Sequence, residues 1–284
     1  MGGIAAVLTA VMLSQTPFDL QGHRGARGHA PENTLPGFER ALAIGVDTLE
    51  LDVGVTRDGV VVIHHDRRLN PDLARGPDGN WVAAPAPTIH SLSYPELQRY
   101  DVGRIRPGSE YAQRFPHQKP IDGTPIPRLA ALFSIVPSSI KFNIETKLVP
   151  EAPGETLPPE PFARALIAEA RKAGVAARTT IQSFDFRTLA VVQREAPEIA
   201  TAYLTSGKTG EAVPRMVHEA KGPIWSPNFQ DLDPRALAVA RELGVKVVAW
   251  TVNEPADIAL VLDMKVDGII SDYPDRVRAA LKRR

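Results

Sequence analysis

The chain reads as an α/β protein, a TIM (β/α)8 barrel with an inserted loop-rich subdomain after the second strand. Two observations lead there. Eight apolar, strand-like runs alternate with amphipathic helical stretches, and such alternation implies a parallel sheet. At 284 residues, 43% of them hydrophobic, the chain suits one closed barrel with a sizeable core. No phosphate-cradling glycine fingerprint opens a helix, which argues against a dinucleotide-binding open sheet.

The strand candidates are, in order, "FDLQGH", "DTLELDVGV", "IKFNIETK", "TTIQSF", "IATAYLT", "IWSPNF", "VKVVAWTVN" and "DGIISDYP". Helical patterns such as "PFARALIAEARKAG" and "PRALAVARELG" lie between them, each with a glycine in the stop position. "TRDGVVVIHHD" reads as a hairpin turning at Asp58-Gly59. Residues 66–127 are rich in proline and glycine and lack periodicity, the mark of a functional lid or inserted subdomain. Residues 18–284 thus form a single barrel domain. Residues 1–17 hold an uncharged apolar run, "GIAAVLTAVML", too short to span a membrane, which needs ~20 residues. It resembles the core of a secretory signal but lacks a preceding Lys or Arg and a clear cleavage site; the alternative is a helix capping the barrel floor. A periplasmic or secreted location is expected, with the cytoplasm as the alternative.

Lys plus Arg equals Asp plus Glu at 33 each, so no global field favours nucleic acid or an acidic membrane. There are no cysteines, which excludes disulfides and thiolate metal sites. A small-molecule partner is expected, without nucleic acid or stable membrane association.

Catalytic groups of such barrels lie at the C-terminal ends of the strands. Side chains alternate along a strand, so Glu50 and Asp52 share one face of "TLELDV" while Leu49 and Leu51 share the other. Asn143, Glu145 and Lys147 likewise share a face, as do Gln21 and His23. Taken singly, each set reads equally well as salt bridges among Arg24, Lys147 and the acids. Three at matching strand ends point to a site. Glu50, Asp52 and Glu145 form an oxygen-rich cluster suited to one hard divalent cation, Mg²⁺ or Ca²⁺. Arg24 and Lys147 beside it suit an anionic, phosphate-like substrate. His23 and His65 are the candidates for proton transfer. The glycines of "LQGHRGARGHAPENT" are expected to let backbone approach the phosphate. His64 must face away from His65 and reads as structural or solvent-facing. His29, His90, His117 and His218 read as surface or packing residues, and Arg27 equally as a loop anchor.

The stretches "HRGARGHAPENT", "ELDVGVTRDGVVVIHHD", "IETK", "QSFD", "WTVN" and "DGIISDYPD" occur in order from residue 23 to 275. In this the sequence resembles the glycerophosphodiester phosphodiesterase family over essentially the whole barrel. The resemblance implies phosphodiester hydrolysis to glycerol 3-phosphate and an alcohol. It implies metal ligation by Glu50, Asp52 and Glu145, and acid–base catalysis by His23 and His65. Arg24 and Lys147 would contact phosphate, while Gln182 and Trp250 would line the pocket; Trp250 reads equally as a buried barrel aromatic. Glu32 and Asn33 would brace the first loop. The alternatives are a lysophospholipase D-like enzyme on lipid phosphodiesters, with an apolar path from Trp81 and "FPHQKPIDGTPIP", and a noncatalytic phosphodiester-binding barrel. A Schiff-base role for Lys147 is disfavoured by Glu145 two residues away.

Overall fold

The structure, a computed structural model, describes residues 18–148 and 150–284; the signal-like segment expected over residues 1–17 lies outside the described residues. All eight predicted runs are strands, and the hairpin adds a ninth. In chain order they are β1 (Asp19–Gly22), β2 (Thr48–Val55), β3 (Val61–Ile63), β4 (Lys141–Thr146), β5 (Thr179–Ser183), β6 (Ala200–Thr205), β7 (Ile224–Pro227), β8 (Lys246–Ala249) and β9 (Gly268–Ser271). The order β1-β9-β8-β7-β6-β5-β4-β2 is parallel throughout, and β1 pairs with β2 to close the barrel. β3 folds back antiparallel on β2, with Val53 opposite Ile63, across a turn whose Gly59 has φ +82°.

Among the described residues, ten helices accompany them. After β1 comes α1 (Leu35–Ile44); α2 (Tyr94–Leu97) and α3 (Glu110–Arg114) lie in the insertion; α4 (Leu129–Ile135) returns the chain to β4. The remaining crossovers carry α5 (Pro159–Lys172), α6 (Phe186–Glu195), α7 (Ala212–Glu219), α8 (Pro234–Glu242) and α9 (Pro255–Asp263), and α10 (Pro274–Leu281) closes the chain. Local chemistry sets their ends. Thr34 caps α1 by accepting from the Gly37 amide at 3.2 Å, and Asp233 caps α8 through the amides of Arg235 and Ala236, both at 2.9 Å. The stop glycines read after α5 and α8 are Gly174 and Gly244, left-handed at φ +67° and +69°.

The two-residue alternation sorts the side chains. Leu49, Leu51, Phe142, Ile144 and Ile181 point outward and are fully buried beneath the helices. Each such burial contributes roughly 1.5–3 kcal/mol. The inward positions between them are polar, so packing energy comes from the outer shell and the barrel axis is left for chemistry.

Residues 66–127 form a small subdomain with its own buried cluster, including Leu69, Ala74, Ile89, Leu97, Val102 and Ile126, seated on Val62 of the hairpin. Its loops are tied by isolated antiparallel bridges, Arg68 with Thr88 and Arg75 with Trp81 and Asp101, and by side-chain bonds. Asp101 accepts from the backbone amides of Gly103 at 2.8 Å, Gly123 at 2.9 Å and Thr124 at 3.1 Å, and pairs with Arg75.

Candidate active site

The first loop packs its glycines against protein. A Cβ on Gly25, which has φ +89°, would meet the Gly37 backbone at 2.6 Å; one on Gly28 would meet the Tyr273 ring at 2.2 Å. Contrary to expectation, close packing of the loop onto α1 and the C-terminal segment accounts for these glycines. The turn also holds two non-glycine residues in left-handed geometry, Arg24 at φ +50° and Asn33 at φ +54°. Side-chain bonds stabilise that strain. The Arg24 amide donates to Glu50 Oε2 at 2.9 Å, its Nη1 donates to Glu32 at 2.7 Å, and Asn33 Nδ2 donates to Asp52 at 2.9 Å. Glu32 and Asn33 therefore brace the loop.

Glu50, Asp52 and Glu145 bring one carboxylate oxygen each within 4.8 Å of one another, all buried. β2 and β4 pair Asp52 with Glu145, which makes this cluster a direct product of sheet register. Asp52 lies beside Arg24 Nε at 3.2 Å and Lys147 Nζ at 3.4 Å. Burial works to raise its pKa, but these two cations override burial and hold it well below the usual range. Glu145 accepts from Lys147 at 2.7 Å, yet burial still raises its pKa. Glu50 accepts from neutral donors: Gln182 Nε2 at 2.7 Å on Oε1 and the Arg24 amide on Oε2. Burial and then the Asp52 charge push its pKa well up. A site with crowded, desolvated carboxylates and too little positive charge fits a hard divalent cation, which all three could hold.

His23 and His65 line one cleft of about 310 Å³ together with Arg24, Glu50, Glu145, Lys147, Gln182 and Trp250. In His23, Nδ1 lies 2.6 Å from Asp272 and Nε2 lies 3.9 Å from Glu50. Its pKa is lowered to about 4, chiefly by burial and then by Arg27, so the ring is neutral near pH 7. In His65, Nδ1 lies 2.7 Å from Asp66. Each imidazole thus turns Nδ1 to a carboxylate, with Nε2 on the opposite edge of the ring. His64 is buried and turned aside, with Nε2 at 3.4 Å from the Arg68 carbonyl.

Gln182 and Trp250 line the cleft. Gln182 is 1% exposed and spends its amide on Glu50, so it holds a carboxylate in place. Trp250 anchors Nε1 on the Ser226 carbonyl at 2.8 Å and meets Phe184 edge-on at 5.6 Å. The suggested apolar path lies elsewhere: Trp81 packs over Arg75 within the insertion, and Phe115 is buried under Arg27. The apolar side chain at the mouth is Phe184, 46% exposed.

The sequence reading did not single out Asp272, Asn253, Asp66 or Tyr111. Asp272 follows inward Ile270 at the two-residue spacing, so the alternation of β9 carried the signal. It accepts from Arg27 Nε at 2.8 Å, Arg27 Nη2 at 3.1 Å and Asn253 at 2.7 Å. Tyr111 comes from the aperiodic insertion, where no sequence rule pointed inward.

Eight parallel strands with carboxylates, imidazoles and cations at their C-terminal ends define a barrel hydrolase built for an anionic substrate. The chain belongs to the glycerophosphoryl diester phosphodiesterase family, whose model matches residues 23–276, and is an enzyme of that family. A Bacillus altitudinis glycerophosphodiester phosphodiesterase is 30% identical over 89% of this chain and 94% of its own length. A Silicibacter pomeroyi protein of known structure, named for the same family, is 35% identical, with TM-score 0.88 and 94% of both chains covered. An Oleispira antarctica phosphodiesterase solved with the product sn-glycerol-3-phosphate shares the fold at TM-score 0.74 and 23% identity, over 93% of this chain and 96% of that one.

Proposed function

We propose that the protein hydrolyses glycerophosphodiesters to glycerol 3-phosphate and an alcohol, with Glu50, Asp52 and Glu145 holding one Mg²⁺ or Ca²⁺. The observation that carries this reading is the joint placement of two carboxylate-oriented histidines and the acidic cluster in one cleft. When bound, the cation supplies Lewis-acid polarisation of the phosphate. Arg24 and Lys147 neutralise the phosphate oxygens as negative charge builds. One histidine takes the proton of the attacking hydroxyl, which is either water, giving glycerol 3-phosphate directly, or the glycerol 2-hydroxyl, giving a cyclic phosphate that a water then opens to glycerol 3-phosphate. The other gives a proton to the departing alcohol oxygen, so the P–O bond breaks to a neutral leaving group. Exposed Phe184 beside the cleft supports lipid phosphodiesters as a second substrate class. The apolar run of residues 3–13 supports a periplasmic or secreted location, which fractionation of cells producing the full chain tests.

The test is release of glycerol 3-phosphate from glycerophosphocholine and glycerophosphoethanolamine, with EDTA and then with each cation restored. Alanine at His23 or His65 should lower turnover by ~10²-fold or more. Turnover that survives chelation would sink the metal reading, and turnover seen solely with lysophosphatidylcholine would favour the lipid class.

A further inference from the structure

We propose that Tyr111, on α3 of the inserted subdomain, is a positioning residue that sets the grip of Arg24 on phosphate through Glu32. The inference rests on the phosphate-binding role proposed for Arg24.

A guanidinium has no acceptor and an ionised carboxylate has no donor, so a hydroxyl between them can be wired one way only. Arg27 Nη1 donates to the Tyr111 oxygen at 3.1 Å, and the Tyr111 hydroxyl donates to Glu32 Oε2. Glu32 Oε1 accepts from Arg24 Nη1 at 2.7 Å. One phenol therefore joins both arginines of the first loop through a single carboxylate. Glu32 is buried, with one oxygen for Arg24 and the other for Tyr111. Without the phenol, the cation beside Oε2 among the described residues is Arg27 Nη1 at 3.8 Å. The carboxylate is then drawn toward Arg27, and its hold on Arg24 loosens.

The insertion keeps its seat without that hydroxyl. Phe115 lies under the Arg27 guanidinium at 4.6 Å, Gln118 donates to the Arg27 carbonyl at 2.8 Å, and the Lys119 amide donates to the His29 carbonyl at 3.0 Å. Tyr111→Phe deletes one oxygen from an otherwise anchored contact. The poorly patterned insertion thereby reaches the phosphate-binding side of the cleft through a defined chain of bonds.

The experiment compares wild type, Tyr111→Phe, Glu32→Gln and the double variant. It measures glycerol 3-phosphate binding by calorimetry, and KM and kcat on glycerophosphocholine. Tyr111→Phe should weaken product binding and raise KM by about tenfold while kcat stays within about twofold. The double variant should bind no more than about twofold worse than Glu32→Gln, because both changes break one chain. Unchanged binding in Tyr111→Phe overturns the inference. So do single effects that multiply in the double variant, since Tyr111 would then act independently of Glu32. Unchanged product affinity in Arg24→Ala would instead refute the underlying phosphate reading.

Discussion

Asp272 Oδ1 lies 2.6 Å from His23 Nδ1 while the same carboxylate takes two guanidinium bonds from Arg27. This fixes the proton on Nδ1 and turns Nε2 toward Glu50. Replacing Asp272 with Asn removes the charge and permits the opposite tautomer. We expect kcat to fall by about 10²-fold with KM little changed, from loss of oriented proton transfer. Steady-state release of glycerol 3-phosphate by the folded variant checks it; undiminished kcat would remove Asp272 from the mechanism.

The same carboxylate gives an acid limb to stability. Burial would raise the Asp272 pKa, but Arg27 and then His23 reverse this and hold it far below the ordinary value. An unfolded Asp titrates near about 3.9. The folded state therefore binds fewer protons than the unfolded state in this range, so the contribution is full above about pH 5 and fades as pH falls through 4. Asp272→Asn should start lower in Tm, because buried Arg27 loses its main partner, yet lose less than wild type between pH 5 and 3. Parallel Tm losses over that interval would show that Asp272 is not the titrating group.

The barrel and most of its site were legible because periodicity and strand-end placement are local properties. Alternation in "TLELDV" and "KFNIETK" separates the outward leucines, phenylalanine and isoleucine from Glu50, Asp52 and Glu145, and register then brings the acids together. What stayed hidden depends on contacts between distant segments. Asp272 meets His23 across 249 positions, and Tyr111 meets Glu32 across 79. The insertion was opaque because single bridges and side-chain hubs such as Asp101 stand where long ladders would be, and neither leaves a period. Gln182 lines the cleft as the sequence suggests, but its amide is committed to Glu50, a partner that alternation alone does not name.

That commitment belongs to a longer chain along the barrel axis. Gln21 donates to Asp19 at 2.8 Å, Asn143 donates to Gln21 at 2.8 Å and to Gln182 at 3.0 Å, and Gln182 donates to Glu50. Asp19 orients each amide in turn, and Asn143 Oδ1 is left without a partner among the described residues. Gln182→Leu should therefore loosen Glu50 and weaken Mg²⁺ or Ca²⁺ binding by about 10-fold or more, as loss of a ligand's supporting bond does. Calorimetric titration with each cation measures it. Wild-type affinity in the variant would mean that Glu50 is held by the Arg24 amide alone.

Backbone strain and close packing can be told apart at two glycines, one in the first loop and one in the hairpin turn. Gly25 and Gly59 are both left-handed, at φ +89° and +82°, but their surroundings differ. A Cβ at Gly59 meets nothing within 4 Å, whereas one at Gly25 meets the Gly37 backbone at 2.6 Å. Gly59→Ala should cost only the conformational term, about 1 kcal/mol, and leave activity intact. Gly25→Ala adds a clash that backbone must absorb, so we expect more than about 2 kcal/mol. Its loop carries His23 and Arg24, and displacement of that loop should also depress turnover. Chemical denaturation and kinetics on both variants decide the matter. Equal stability losses would mean that the loop yields freely, and the rigid placement of His23 and Arg24 would then need another source.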